Sequence, residues 1–242
     1  MIILLCQPRI DAISFSRTFG KRGGRMKPVR WAGRFACAIA LAGVAASCTP
    51  LRVVTHSVST AEAAVPAGRY TLDPHHWSIV FDVDHFKYSR FTMRFDRANA
   101  QLDWRPGGGL ADSGVSASID AASVDTRVPL LDKLVAGADA LDAARNPQIR
   151  FDSTRFARTS ATQGTLTGNL TIRGATHPVT LAVTFNGYGR NPLTKQDTLG
   201  FSASGTFSRA QFGVTSWYPA VGDDVRVRIE AEFVKEGEAP AQ

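Results

Sequence analysis

Three histidines and three aspartates, His75, His76, His85, Asp73, Asp82 and Asp84, fall between residues 73 and 85. Imidazole and carboxylate together suit zinc or iron, and an ion held there would activate water for hydrolysis. The spacing does not favour it. His75 and His76 are adjacent at the entry to a strand, with no helical pairing to fix two rings on one ion, so no metal is expected. A metal-assisted hydrolase using the His75/His76/His85 region stays as the enzyme-class alternative. His85 differs because it is in phase with Phe81 and Val83, which places an imidazole on an apolar face. It reads either as a hydrogen-bonded core residue or as the polar handle of a pocket. No Gly-x-Ser-x-Gly elbow is present, and no cysteine follows Cys48. Gly107, Gly108 and Gly109 follow Arg105-Pro106 as a hairpin connection rather than a phosphate cradle. The chain is therefore expected not to be an enzyme.

The elements that must position these residues are strands. Between Gly164 and Phe185, Leu166, Gly168, Leu170 and Ile172 share one face while Thr165, Thr167, Asn169 and Thr171 share the other. That is the period-two pattern of a half-buried strand. After a polar break at residues 174–178 it resumes with Val179, Leu181, Val183 and Phe185, so the pair reads as an antiparallel hairpin. Similar alternation runs through Ile79-Phe81-Val83-His85, Phe91-Met93-Phe95, Ala98-Ala100-Leu102-Trp104, Val115-Ala117-Ile119, Ile149-Phe151, Phe201-Ala203-Gly205-Phe207 and Val225-Val227-Ile229. One stretch departs from it. Leu130, Leu131, Leu134, Val135, Ala138 and Leu141 recur at helical spacing until Asn146-Pro147, which predicts a helical insertion near 129–144. About eight strands suit a small closed barrel.

Three ordered blocks resemble the YceI-like family. They are Tyr70-Thr-Leu-Asp-Pro-His-His76 leading into Ile79-Val-Phe-Asp-Val-Asp-His85, then Gly168-Asn-Leu-Thr-Ile-Arg-Gly-Ala-Thr-His-Pro-Val179, then Ser208-Arg209 through Phe212-Gly213 and Val221-Gly-Asp223. The resemblance implies an all-β fold, a single antiparallel lipocalin-like β-barrel with one helical insertion. It also implies a periplasmic protein that binds polyisoprenoids or related amphiphiles. Relatives commonly carry a Phe-Phe-Asp segment where this chain has Pro129-Leu-Leu-Asp-Lys133, so that part of the barrel end is altered here. Arg173, Arg209 and Asp223 lie in the matching blocks, as rim pairing residues or ligand contacts.

Composition first suggests a basic protein, with 28 Lys and Arg against 21 Asp and Glu. Eight of those cations and one of the acids precede Cys48, so the remainder carries twenty of each and no nucleic-acid partner is expected. Met26, Lys27, Arg30 and Arg34 ahead of the apolar run Phe35–Ala46 have the layout of a secretory signal, with Met26 rather than Met1 as the natural start. Val44-Ala45-Ala46 offers a cleavage site, whereas Ala45-Ala46-Ser47-Cys48 is a weak lipobox that would make Cys48 a lipidated membrane tether. Cys6, Cys37 and Cys48 all lie in or beside this leader, and no disulfide is expected.

The expected organisation is a leader at 1–47, a linker or tether at 48–66, the barrel at 67–235 and a polar tail at 236–242. Which strand face points inward is open to two readings, a water-soluble barrel with an apolar lumen or a lipid-facing membrane barrel. The insertion at 129–144, the polar tail and the resemblance favour the first. The lumen is then expected to be lined by Phe81, Val83, Phe91, Phe95, Leu170 and Ile172, with Leu181, Val183, Phe185, Phe201, Gly205 and Phe207. His85, Arg173 and Arg209 would form a polar mouth, and the small inward residues Gly168, Ala203, Gly205 and Ala231 would leave room for a tunnel. The function expected is a non-catalytic carrier for a long-chain amphiphile, the resemblance naming a polyisoprenoid phosphate or an isoprenoid quinone, in the periplasm. A dry-core barrel acting as a protein-interaction module is the further alternative.

Overall fold

Alternation of this kind leaves every strand with one face to bury, and the chain meets the demand by closing a sheet on itself. The computed structural model describes residues 55–105 and 109–237. Ten strands follow one another: β1 Gly68–His85, β2 Ser89–Phe95, β3 Ala98–Arg105, β4 Gly109–Asp120, β5 Val124–Asp125, β6 Gln148–Arg158, β7 Gln163–Ile172, β8 Ala175–Arg190, β9 Asp197–Ser208 and β10 Asp224–Lys235. All pairings are antiparallel, and β10 meets β1 to complete the ring. The ten segments occupy eight positions around it. β2 and β3 both flank β1 on one side, β2 along 79–85 and β3 along 68–71, as one strand interrupted at Asp96-Arg97. β5 extends the line of β4 in the same way, pairing with the end of β2.

The local chemistry explains the joints. β7 turns into β8 through Arg173 and Gly174 alone, at φ 53 and 79, the two left-handed residues that a tight hairpin of matching twist requires. The second strand therefore begins at Ala175 rather than Val179. Pro178 is tolerated inside it because β9 pairs with β8 only from Ala182 onward, leaving that edge of β8 unpaired. The helical insertion is shorter than its spacing predicts. Helix α1, Pro129–Ala136, starts with proline at a position where no N–H is needed and stops at Gly137. Residues 138–145 then coil back in turns that bury Ala140 and Ala143.

The described residues belong to one compact unit. The segment expected to be a tether is docked over its described part. Ser59 exchanges backbone hydrogen bonds with Tyr188, and Val58 lies over Gly187 and Gly189, where a Cβ would stand 2.9 Å and 3.3 Å from it respectively. Glu62 accepts from Arg158 at 2.6 Å and from the Leu110 amide at 3.2 Å. The leader, Cys6, Cys37, Cys48 and residues 238–242 lie outside the described residues.

Candidate functional site

The apolar strand faces enclose a cavity of about 740 Å³. Its wall contains Phe81, Val83, Phe91, Phe95, Leu170 and Ile172, together with Leu181, Val183, Phe201 and Phe207, as the alternation places them. Met93, Phe151, Val227 and Ile229 complete much of the surround. The barrel is filled unevenly along its axis. At the end reached by Gly68 and Arg105, Tyr70, Leu102, Trp104, Phe185, Leu199 and Phe233 pack into one buried cluster, from which Leu102 and Phe233 also border the cavity. At the other end the wall includes Phe86, Leu134 and Trp217, all of them exposed. That end is the mouth, framed by the β1–β2 turn, α1 and residues 214–221.

Three expected site residues are placed elsewhere. Phe185 points inward but belongs to the packed end, 5.8 Å from the Trp104 ring and 5.4 Å from that of Phe201. Gly205 gives no room, because a Cβ there would stand 2.7 Å from Leu181 Cδ2 and 3.0 Å from the Thr180 carbonyl oxygen. Gly168 is similarly taken up, by the ring of Phe151 lying across it. These glycines admit neighbouring side chains and do not open a tunnel; Ala203 and Ala231 are the small residues that do face the cavity. Arg173 turns away from it and donates to the carbonyls of Ala140 at 3.1 Å and Gly213 at 3.4 Å, tying the β7–β8 turn to the neighbouring loops.

Arg209 both borders the cavity and ties backbone together at the barrel end. The residue is in the cavity wall and only 7% exposed. It donates to the carbonyls of Gly222, Val214 and Val221, each at 2.8 Å. Among the described residues no carboxylate is paired with it. Burial pushes its pKa down, only partly offset by the charge of Asp223. Three of its five N–H groups are used by those carbonyls, which leaves two for a further acceptor. His85 is at the mouth, exposed, with its ring 4.8 Å edge-on to Phe86 and 6.2 Å from Phe91.

The histidines and aspartates of the first strand do not come together as one site. β1 carries His76 and His85 nine residues apart along the barrel, a separation of up to about 30 Å. Asp82 and Asp84 are both held by Arg90, which bonds Asp82 and reaches Asp84 Oδ1 at 2.9 Å. Burial works against the Arg90 charge, but these carboxylates outweigh it and raise its pKa. His76 instead meets Asp73 and Glu232, with their ligand atoms within 4.8 Å of one another, a set that could hold a metal ion. It forms because β1 leaves its register with β10 between Leu72 and Trp77. His76 Nδ1 lies 3.0 Å from Asp73 Oδ2, and the His75 amide donates to Asp73 Oδ1 at 2.8 Å. The bond from Asp73 holds the His76 ring above the usual histidine range. Burial raises the Asp73 carboxyl, yet its bonds to His75 and His76 prevail and keep it below the usual carboxylate range.

Residues 70–233 match the family model for the YceI-like domain. The chain belongs to the YceI-like family. A UPF0312 protein of Pseudomonas putida (strain W619) is 30% identical over 172 residues, covering 70% of this chain and 88% of the relative. One from Vibrio cholerae serotype O1 (strain M66-2) is 28% identical over 184 residues, covering 75% and 96%. Among solved structures, Burkholderia cenocepacia BcnA superposes with a TM-score of 0.60 at 25% identity, over 66% of this chain and 98% of that one. A polyisoprenoid binding domain from Saccharophagus degradans gives a TM-score of 0.52 at 13% identity, over 71% and 98%, and shares the fold.

Sequence reasoning missed Phe86, Leu134 and Trp217 as members of the wall. Phe86 and Trp217 sit in turns, where no strand period exists to assign a face, and Leu134 lies on a helix whose docking is not encoded in its own spacing.

Proposed function

We propose that this YceI-like barrel is a binding and carrier protein for a long-chain amphiphile, with a polyisoprenoid phosphate or isoprenoid quinone as the ligand. The observation that carries the reading is an apolar cavity whose wall includes the buried Arg209, which makes no salt bridge among the described residues. At about 30 Å³ for a water-sized group, 740 Å³ has room for some twenty-five such groups, a scale suited to an aliphatic tail. An apolar cavity gains little from holding water, while an apolar tail gains about 25 cal/mol for each Å² it withdraws from solvent. The two remaining N–H groups of Arg209, with His85 nearer the mouth, suit a phosphate or a quinone carbonyl. Family membership supports a lipid-binding barrel, and the Saccharophagus domain of the same fold is itself described as binding polyisoprenoid.

The leader places the protein, in this reading, in the cell envelope after export, periplasmic or tethered through Cys48. Intact mass of the mature chain distinguishes the two. Binding without chemistry is the activity proposed. Native mass spectrometry of the protein isolated from its own envelope tests the ligand, and a bound prenyl lipid or quinone is the expected result. An empty barrel that also takes up neither class in vitro would end the carrier reading.

A further inference from the structure

The mouth is framed by side chains that water does not explain. Tyr88 is 91% exposed, Tyr218 68% and Leu130 67%, with Phe86, Leu134 and Trp217 beside them. They come from three segments that meet around one cluster. The Phe86 amide donates to the Ala220 carbonyl at 2.6 Å, and Val135 of α1, Val221 and Phe91 all pack against buried Val83, Met93 and Val225. Exposed apolar residues at the packed end, Val58 and Leu193, are separate from this group.

Two further observations say what the rim meets. The first is charge. Lys87 lies between Phe86 and Tyr88, while Arg127 and Lys133 bracket Val128 and Leu130; all three cations are exposed and none is in a salt bridge among the described residues. The same segments also carry carboxylates, two of them held by local hydrogen bonds that leave their charge in place. Asp125 accepts from the Arg127 amide, and Asp132 from the amide and hydroxyl of Thr126. Asp84, Asp139 and Asp224 are exposed nearby, Asp84 paired with Arg90. Aromatic rings interleaved with lysine and arginine are the composition of a membrane–water boundary. The second is backbone strain. Phe86, Lys87, Arg127 and Trp217 have φ of 51, 60, 63 and 63, a region that side-chain-bearing residues avoid. Glycine would relieve each position. At Phe86 and Lys87 the tight β1–β2 turn itself calls for left-handed residues, as at Arg173-Gly174, and the chain fills those positions with an exposed ring and a cation instead of glycine.

We propose that the mouth rim, Phe86-Lys87-Tyr88 with Leu130, Lys133 and Trp217-Tyr218, docks the barrel onto an anionic lipid surface. Apolar side chains would enter the acyl boundary while the cations meet phosphate head groups, and the cavity would open directly into the bilayer. The ligand-exchange consequence rests on the carrier reading; the docking itself does not.

The Thr49–Gln242 chain, which contains the compact unit and lacks the leader and Cys48, is mixed with vesicles of phosphatidylglycerol and phosphatidylcholine and sedimented without any ligand. Binding is expected at low salt and should fall as salt rises. Lys87→Glu with Lys133→Glu should weaken it at least about tenfold. Tyr88→Ser with Leu130→Ser should also reduce it. Arg155→Glu with Arg228→Glu makes the same change of charge on the barrel wall and should leave binding intact. Absence of vesicle binding, or equal loss in the wall variant, overturns the proposal. A dimer in ultracentrifugation that the rim substitutions dissolve would give the surface to a second copy and overturn it as well. A barrel that takes up lipid from detergent yet ignores vesicles would defeat docking alone, whereas one that sediments but carries nothing would defeat only the carrier reading.

Discussion

The two ends of the barrel are built from similar apolar residues and reach opposite outcomes. At the packed end Tyr70, Phe185 and Leu199 are fully enclosed, and the Tyr70 hydroxyl is satisfied by the Pro66 carbonyl at 2.7 Å. The segment 56–65 closes over this end and contributes Val65 to its core. At the mouth, α1 and two turns frame the opening and leave phenylalanine and tryptophan facing both cavity and solvent. Stability is concentrated where side chains interdigitate without voids. Capacity to bind is concentrated where they fail to meet.

Deleting one ring at each end gives the largest contrast. Phe185→Ala should lower the free energy of unfolding by about 3–5 kcal/mol, read from urea denaturation. Phe91→Ala, a half-buried ring already bordering empty space, should cost about 1–2 kcal/mol. Equal losses would break the comparison, because they would mean that the cavity is supported as tightly as the plug. Next comes Gly205→Leu, which drives atoms into Leu181 and Thr180 rather than into the lumen; a loss of about 1–3 kcal/mol is expected. Ala203→Phe sharpens the same distinction. It projects into the cavity, so the empty protein should keep its stability or gain about 0.5–1 kcal/mol while bound lipid disappears from the native mass spectrum.

The smallest effect is at the excursion of β1. Because Asp73 raises the His76 pKa, this pair stabilises fully below the ordinary histidine range and loses its contribution as pH climbs through the raised value. The depressed Asp73 carboxyl has the opposite dependence, contributing above the ordinary carboxylate range and failing as acid takes the pH down through its lowered pKa. The imidazole is largely exposed, so both effects are modest. Melting temperature followed between pH 5 and 8.5 should drift downward on the alkaline side in the native protein relative to His76→Gln. Parallel curves would remove the pair from any stabilising role.

Strand identity and facing were legible because period-two alternation is a local property, visible in runs such as Leu170-Ile172 or Val227-Ile229. The lumen followed from it, with Leu170, Val183, Phe207 and Ile229 all on the cavity side. What depends on distant partners was not legible. Gly168 and Gly205 look alike as spare room, yet whether space beside a glycine is empty depends on where Phe151 and Leu181 extend across the sheet. Arg173 and Arg209 share one residue type and one family resemblance. Only the paths of the loops at 137–146 and 210–223 send the first to backbone carbonyls and bring the second to the cavity as well. His76 and His85 are near in sequence but are separated by the rise of the strand that carries both.

The seam that closes the ring has a consequence in time. β1 opens the barrel and β10 ends it, with Tyr70 opposite Lys235 and Asp82 opposite Arg226. β10 comes last of the described strands, so this ring stays open until it exists. Bringing such distant segments together costs loop entropy before any contact repays it, and topologies of this kind fold slowly. β1 can pair with β2 and β3 as soon as they are made, but its other edge waits for β10, so closure is the one step of assembly that needs both ends of the barrel sequence at once.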